Sequence, residues 1–167
     1  MKRPLPTIAF LIVLAGAALF VIRSGAALPD LVATHFGATG RGNGFMPRSV
    51  YVRFMLGFVV LLPLAINLLI DYVLRLPSTS INIPNREYWL APDRRGDTVE
   101  RLQRHMKFFG VMLAVFLCYV HWQVVQANTR IPPTLDNIRF STGVATFMAA
   151  LVVWIVELRR DFRPPPA

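Results

Sequence analysis

The chain has 167 residues, 54% of them hydrophobic and 16% charged, with a mean hydropathy of +0.49. A soluble domain carries roughly a quarter charged residues; here the shortfall is gathered into four apolar runs, which excludes an ordinary soluble globular domain. The net charge of +9 does not call for nucleic acid, because a membrane protein that holds its loops with arginine has the same balance, and a single cysteine excludes both a disulfide framework and a cysteine-cluster metal site.

From the N-terminus, residues 5–22 form the first uncharged window matching the ~20 apolar residues that cross a bilayer core. Met1-Lys2-Arg3 before it and Ser24-Gly25-Ala26-Ala27 after it also have the pattern of a secretory signal peptide. The apolar stretch exceeds a usual signal core and Arg23 adjoins the small-residue site, so a retained anchor is expected. The outer loop, residues 23–53, is dense in Pro29, Asp30, Gly37, Gly40, Gly42, Asn43, Gly44 and Pro47, a composition of tight turns that excludes a long helix. No strand is visible before its glycines and no Gly-Lys-Ser/Thr follows them, so a nucleotide site is not expected.

The second window, residues 54–74, carries Pro63, Asn67 and Asp71 at intervals of four, on one helix face. Pro63 removes a hydrogen bond to the carbonyl of Val59 and predicts a kink. Asn67 and Asp71 either line an ion or proton path or, in the preferred reading, serve packing: Asn67 between helices, Asp71 paired with Arg75 near the surface. The inner connection, residues 75–107, has Pro77, Pro84 and Pro92 among Ile81, Ile83, Tyr88, Trp89 and Leu90, a mixture suited to lying on the membrane surface. Asp97-Thr98-Val99-Glu100 then has the spacing of a capping box, predicting a helix from Thr98 to about Gln126 that merges with the third window, residues 108–125. Its first turns carry Arg101, Arg104 and Lys107, within reach of anionic headgroups.

Pro132-Pro133 stop that helix, and the fourth window follows at residues 140–158. Ser141, Ala145 and Ala149 on it, and Ala15, Gly16, Ala17 and Ala18 on the first, predict close packing of helices within the bundle. The tail, residues 159–167, ends in Pro164-Pro165-Pro166 and is expected to be unstructured. Backbone groups in lipid must be satisfied within their own segment, and the period-two alternation of a barrel is absent. The expected fold is therefore all-α and polytopic: one membrane domain over residues 1–167, with four transmembrane helices arranged as two hairpins. Twelve basic residues fall on the side of the termini and inner connection and six on the other, which places both termini in the cytoplasm.

No catalytic constellation accompanies this architecture. Ser24, Ser49, Ser78, Ser80 and Ser141 lie in no nucleophile elbow, there is no His-Glu-x-x-His, and paired intramembrane aspartates are missing. Cys118, in an apolar helix, is expected to be inert. His35 and His121 fall on the same side as Asp30 and Asp136, a donor set suited to Zn or Cu by type. Their spacing matches no metal motif, so no metal and no cofactor are expected, and His121 is read as hydrogen-bonded to a neighbouring helix.

Leu28-Pro29-Asp30, Val32-Ala33-Thr34-His35-Phe36-Gly37, Gly40 and Asn43-Gly44-Phe45 resemble the "LP…HF/HW…G…G" signature of a bacterial membrane family of unknown function related to the N-terminal part of SdpI-type immunity proteins. Asn82-Ile83-Pro84-Asn85-Arg86-Glu87-Tyr88-Trp89 is similar to the "N-x-P-N-(K/R)-(D/E)-Y-W" segment of a stand-alone branch. The resemblance implies a multi-pass protein of the bacterial cytoplasmic (inner) membrane without enzymatic activity, acting in protection from a secreted toxic peptide or in envelope signalling. It makes Asp30, His35, Gly40, Asn43 and Gly44 the recognition candidates. The alternative is a small transporter or channel-like protein using Asn67, Asp71 and His121; an enzyme built on His35 and Asp30 ranks last. Expected partners are the lipid bilayer and a peptide or another membrane protein, not nucleic acid; the oligomeric state is left open.

Overall fold

In the computed structural model, which describes residues 5–77 and 81–163, each apolar window is a helix long and apolar enough to cross a membrane. The readings that concern Lys2, Arg3, Ser78, Ser80 and Pro164-Pro165-Pro166 lie outside the described residues. The first span is α1 (Leu5–Gly25), whose buried Phe10, Leu14, Ala17 and Val21 recur at helical spacing and form one stripe. The third is α5 (Arg95–Asn128), with Gly110, Ala114, Leu117 and His121 in the matching positions. The two stripes meet, and the second span packs on α5 as well, so α5 is the axis of the bundle. The remaining apolar side chains, such as Ile8, Leu11, Ile12, Leu68 and Leu69, point outward, an arrangement that only hydrocarbon accommodates over so much surface. The chain is an α-helical membrane protein with four spans.

The second span is α2 (Arg48–Leu56), a π-helical turn at Gly57–Leu61, and α3 (Leu62–Val73). Proline lacks an N–H and its ring crowds the carbonyl four residues back, which for Pro63 is that of Val59. The wide turn sits over that carbonyl and takes up the mismatch, so the predicted kink is realised as a π-bulge. The Asp71–Arg75 pair does not form: Asp71 is half-buried, Arg75 is exposed, and no ion pair joins them. The cation at this helix end is Arg95, which donates to the carbonyls of Leu74 (3.1 Å) and Leu76 (2.8 Å) and so satisfies acceptors left open where α3 stops.

The fourth span, α6 (Asn137–Asp161), lies against α5 through aromatic contacts, Phe116 on Phe147 with ring centroids 4.2 Å apart and Phe109 on Trp154 at 5.1 Å, and through Tyr119 over Gly143. None of its residues is buried. Ser141, Ala145 and Ala149 are exposed and form no buried seam, and the contacts that join α6 to α5 are aromatic. On α1, Ala17 is buried, whereas Gly16 faces open space.

Two elements depart further from expectation. Within the turn-rich loop the chain forms an antiparallel pair, β1 (Leu31–Phe36) and β2 (Gly42–Pro47), with Leu31 opposite Pro47, Ala33 opposite Phe45, Phe36 opposite Gly42, and an irregular register around His35. At the other end of the bundle, Leu74, Ile81, Leu90, Leu102 and Phe162 form a second core. Ile81 and Leu90 are thus buried in protein and not laid on a membrane surface, and α4 (Arg86–Trp89) is a single turn. The tail is not free from residue 159, because α6 continues to Asp161 and Phe162 is 1% exposed. The Phe162 carbonyl accepts from Trp89 Nε1 (2.9 Å) and Asn85 Nδ2 (3.2 Å). The capping box is also corrected: α5 starts two residues before Asp97, at Arg95, with no side-chain cap, and Thr98 donates instead to the carbonyl of Trp89 at 2.7 Å.

Candidate functional site

A two-stranded hairpin is marginal alone in water, and this one is held by side chains and loops from the far end of the sequence. Asn128, on the last turn of α5, accepts from the Ala33 N–H (2.8 Å) and donates to the Ala33 carbonyl (2.9 Å), while also donating to Val124 O (2.9 Å). Its amide thus serves β1 as a neighbouring strand would. The α5–α6 connection holds the hairpin tip: Gly42 N–H donates to Pro133 O (3.0 Å), Leu135 N–H to Gly40 O (2.8 Å), and Asn137 Nδ2 to Ala38 O (2.9 Å). Gly40 has φ +81°, and a Cβ there would lie 2.5 Å from the Leu135 carbonyl oxygen, so the joint admits only glycine.

At the base, Arg48 donates to the carbonyl of Leu28 (2.8 Å) and pairs with Asp30 (2.9 Å), whose side chain is 94% exposed. Asp30 is therefore an open surface group, weakly held by an exposed ion pair. His35 lies at the other end of β1, about 16 Å further along the strand. Its Nδ1 meets Asn43 Oδ1 in a short hydrogen bond, both residues are exposed, and Gly44 passes directly opposite, where a Cβ would come within 2.9 Å of that of His35. Of the recognition candidates, His35, Asn43 and Gly44 form one group, Asp30 stands apart, and Gly40 is buried in the joint with the α5–α6 connection. Phe45 and Leu31 are exposed on the same hairpin.

Beneath the hairpin, His121 is wholly buried between three helices. Tyr51 O–H lies 2.9 Å from Nδ1, Ser24 Oγ lies 2.8 Å from Nε2, and Ser24 Oγ is also 2.6 Å from the Phe20 carbonyl. A carbonyl only accepts, so the one hydroxyl proton of Ser24 goes to Phe20. Nε2–H then donates to Ser24, and Tyr51 donates to Nδ1. Every member is satisfied, with Tyr51 stacked on the imidazole and Phe20 edge-on to it. Because Ser24 gives its proton away from the imidazole, the geometry is that of a structural lock and not of an activated nucleophile. Ser24, Tyr51 and Asn128 carried no signal in the sequence; their partners lie 70 to 97 residues away.

The polar residues of the spans are not brought together. Asn67 donates to Pro63 O (3.0 Å) in its own helix and sits against Gly110, roughly 16 Å along α5 from His121. Among the described residues no group of three or more His, Cys, Asp or Glu side chains is placed to hold a metal ion. These features define a four-span α-helical membrane protein whose connections at one end build a clamped hairpin. No family model, curated protein or solved structure matches the chain.

Proposed function

We propose that this is a non-enzymatic protein of the bacterial cytoplasmic membrane, with both termini in the cytoplasm, whose outward hairpin recognises a peptide or another membrane protein. The reading accords with the resemblance to SdpI-type immunity proteins. The observation that carries it is the hairpin: short strands fixed by Asn128 and the α5–α6 connection, displaying the His35–Asn43 pair and Phe45 in the open. Loops held rigidly on a scaffold are where recognition residues concentrate, and an aromatic beside a hydrogen-bonding pair suits a peptide surface. The arginine-poor end carries this hairpin, as the positive-inside rule requires of an outer face.

The test is a His35→Ala, Phe45→Ala protein in cells challenged with secreted antibacterial peptides, alongside cross-linking of the wild type to envelope proteins. Loss of protection or of the cross-linked partner, with unchanged insertion and melting, supports the reading. Protection and cross-links identical to wild type overturn it.

A further inference from the structure

At the arginine-rich end an apolar groove of about 500 Å³ runs between α5 and α6, walled by Phe108 and Met112 on one side and Ala150, Val153 and Trp154 on the other. The Trp154 indole N–H is already committed to the His105 carbonyl (3.1 Å), so the ring offers the groove a hydrocarbon surface. The acids at the mouth have partners, and two basic side chains beside them do not. His105 Nε2 is 2.8 Å from Asp161, and Glu157 is paired with Arg160 at 2.8 Å. Arg104, exposed at the same mouth, has no hydrogen bond or ion pair to any described residue, and Lys107 one turn further on has none either.

We propose that this groove binds one anionic phospholipid, with an acyl chain between α5 and α6 and the phosphate on Arg104. A chain in the groove is contacted from two helices, unlike annular lipid on the open faces of α6. The planar guanidinium fork matches phosphate oxygens, and its aliphatic stem lies along apolar surface while the charge reaches the headgroup level. The local charge balance favours an anionic over a zwitterionic headgroup, because Glu157, the acid lining the groove, is paired with Arg160, whereas Arg104 has no ion pair to any described residue.

Delipidated full-length protein in detergent, titrated with equimolar dioleoyl phosphatidylglycerol and dioleoyl phosphatidylcholine and read by native mass spectrometry, tests this. The expected result is one retained phosphatidylglycerol, a preference lowered about fivefold in Arg104→Gln, the worth of one basic side chain at an anionic surface. Ala150→Trp, which fills the groove and keeps the arginine, should lose the retained lipid. Excess inorganic phosphate should not displace it. Equal retention of the two lipids by the wild type, an unchanged preference in Arg104→Gln, or displacement by phosphate alone overturns the proposal. Unchanged melting of Arg104→Gln, expected from its lack of contacts, excludes misfolding as the cause.

Discussion

His121 is a polar ring placed where a transmembrane bundle normally packs aliphatics, and what permits it is that both nitrogens are used. Hydrogen bonds between transmembrane helices contribute about 0.6 kcal/mol on average and up to ~1.7. Tyr51→Phe, which removes one bond and keeps the ring stack, should therefore cost about 1 kcal/mol. His121→Ala removes both bonds, strands Tyr51 O–H and leaves a cavity, so about 2–4 kcal/mol is expected. Unfolding in mixed micelles by increasing dodecyl sulfate measures both, and a His121→Ala protein as stable as wild type would refute the lock. The sequence was informative about His121 itself, since a histidine in an apolar helix must find a partner on another helix. It was silent about Ser24 and Tyr51, which lie on segments where a hydroxyl is unremarkable.

Among elements, the spans were legible because about 20 apolar residues in a row have few physical solutions. The hairpin was not, and β2 shows why: Gly42-Asn43-Gly44-Phe45-Met46-Pro47 has the composition of turns, and glycine and proline weaken a strand. Its pairing rests on tertiary contacts made by Asn128 and by the α5–α6 connection, which local sequence does not announce. The same contacts yield two tests. Asn128→Ala leaves the Ala33 N–H and carbonyl without their side-chain partner and should cost about 1–3 kcal/mol. The loss should be local, raising amide exchange at Ala33 and its neighbours while α1 and α5 keep their protection. Gly40→Ala meets both a left-handed backbone and the Leu135 carbonyl, so about 1–3 kcal/mol is expected, again confined to this end. Limited trypsin digestion reads it out: cleavage after Arg41 and Arg130 should accelerate in the variant. Equal cleavage would show that the joint does not hold the hairpin.

At the scale of the whole molecule, the two ends differ in construction as well as charge. One end joins the hairpin to the α5–α6 connection by backbone pairing, with Arg41 bridged to Thr134. The other gathers the end of α3, the turn α4, the start of α5 and Phe162 after α6 around a small core, with Arg94 lying 4.1 Å over the Tyr88 ring. Loops that pair with one another share a side of the bilayer, so the fold determines which connections lie together, and basic residues then decide which side is cytoplasmic. The proposed orientation, with the second core inside and the hairpin outside, rests on the twelve-to-six excess of basic residues. Because Cys118 is the only cysteine, a Cys118→Ala background leaves a silent chain for labelling. In that background Thr39→Cys, exposed at the hairpin turn, should react with an impermeant maleimide in intact cells. Asp97→Cys, exposed in the first turn of α5, should react only after permeabilisation. Labelling of Asp97→Cys but not Thr39→Cys in intact cells would invert the protein, turning the hairpin to the cytoplasm and removing the premise that it meets extracellular peptides.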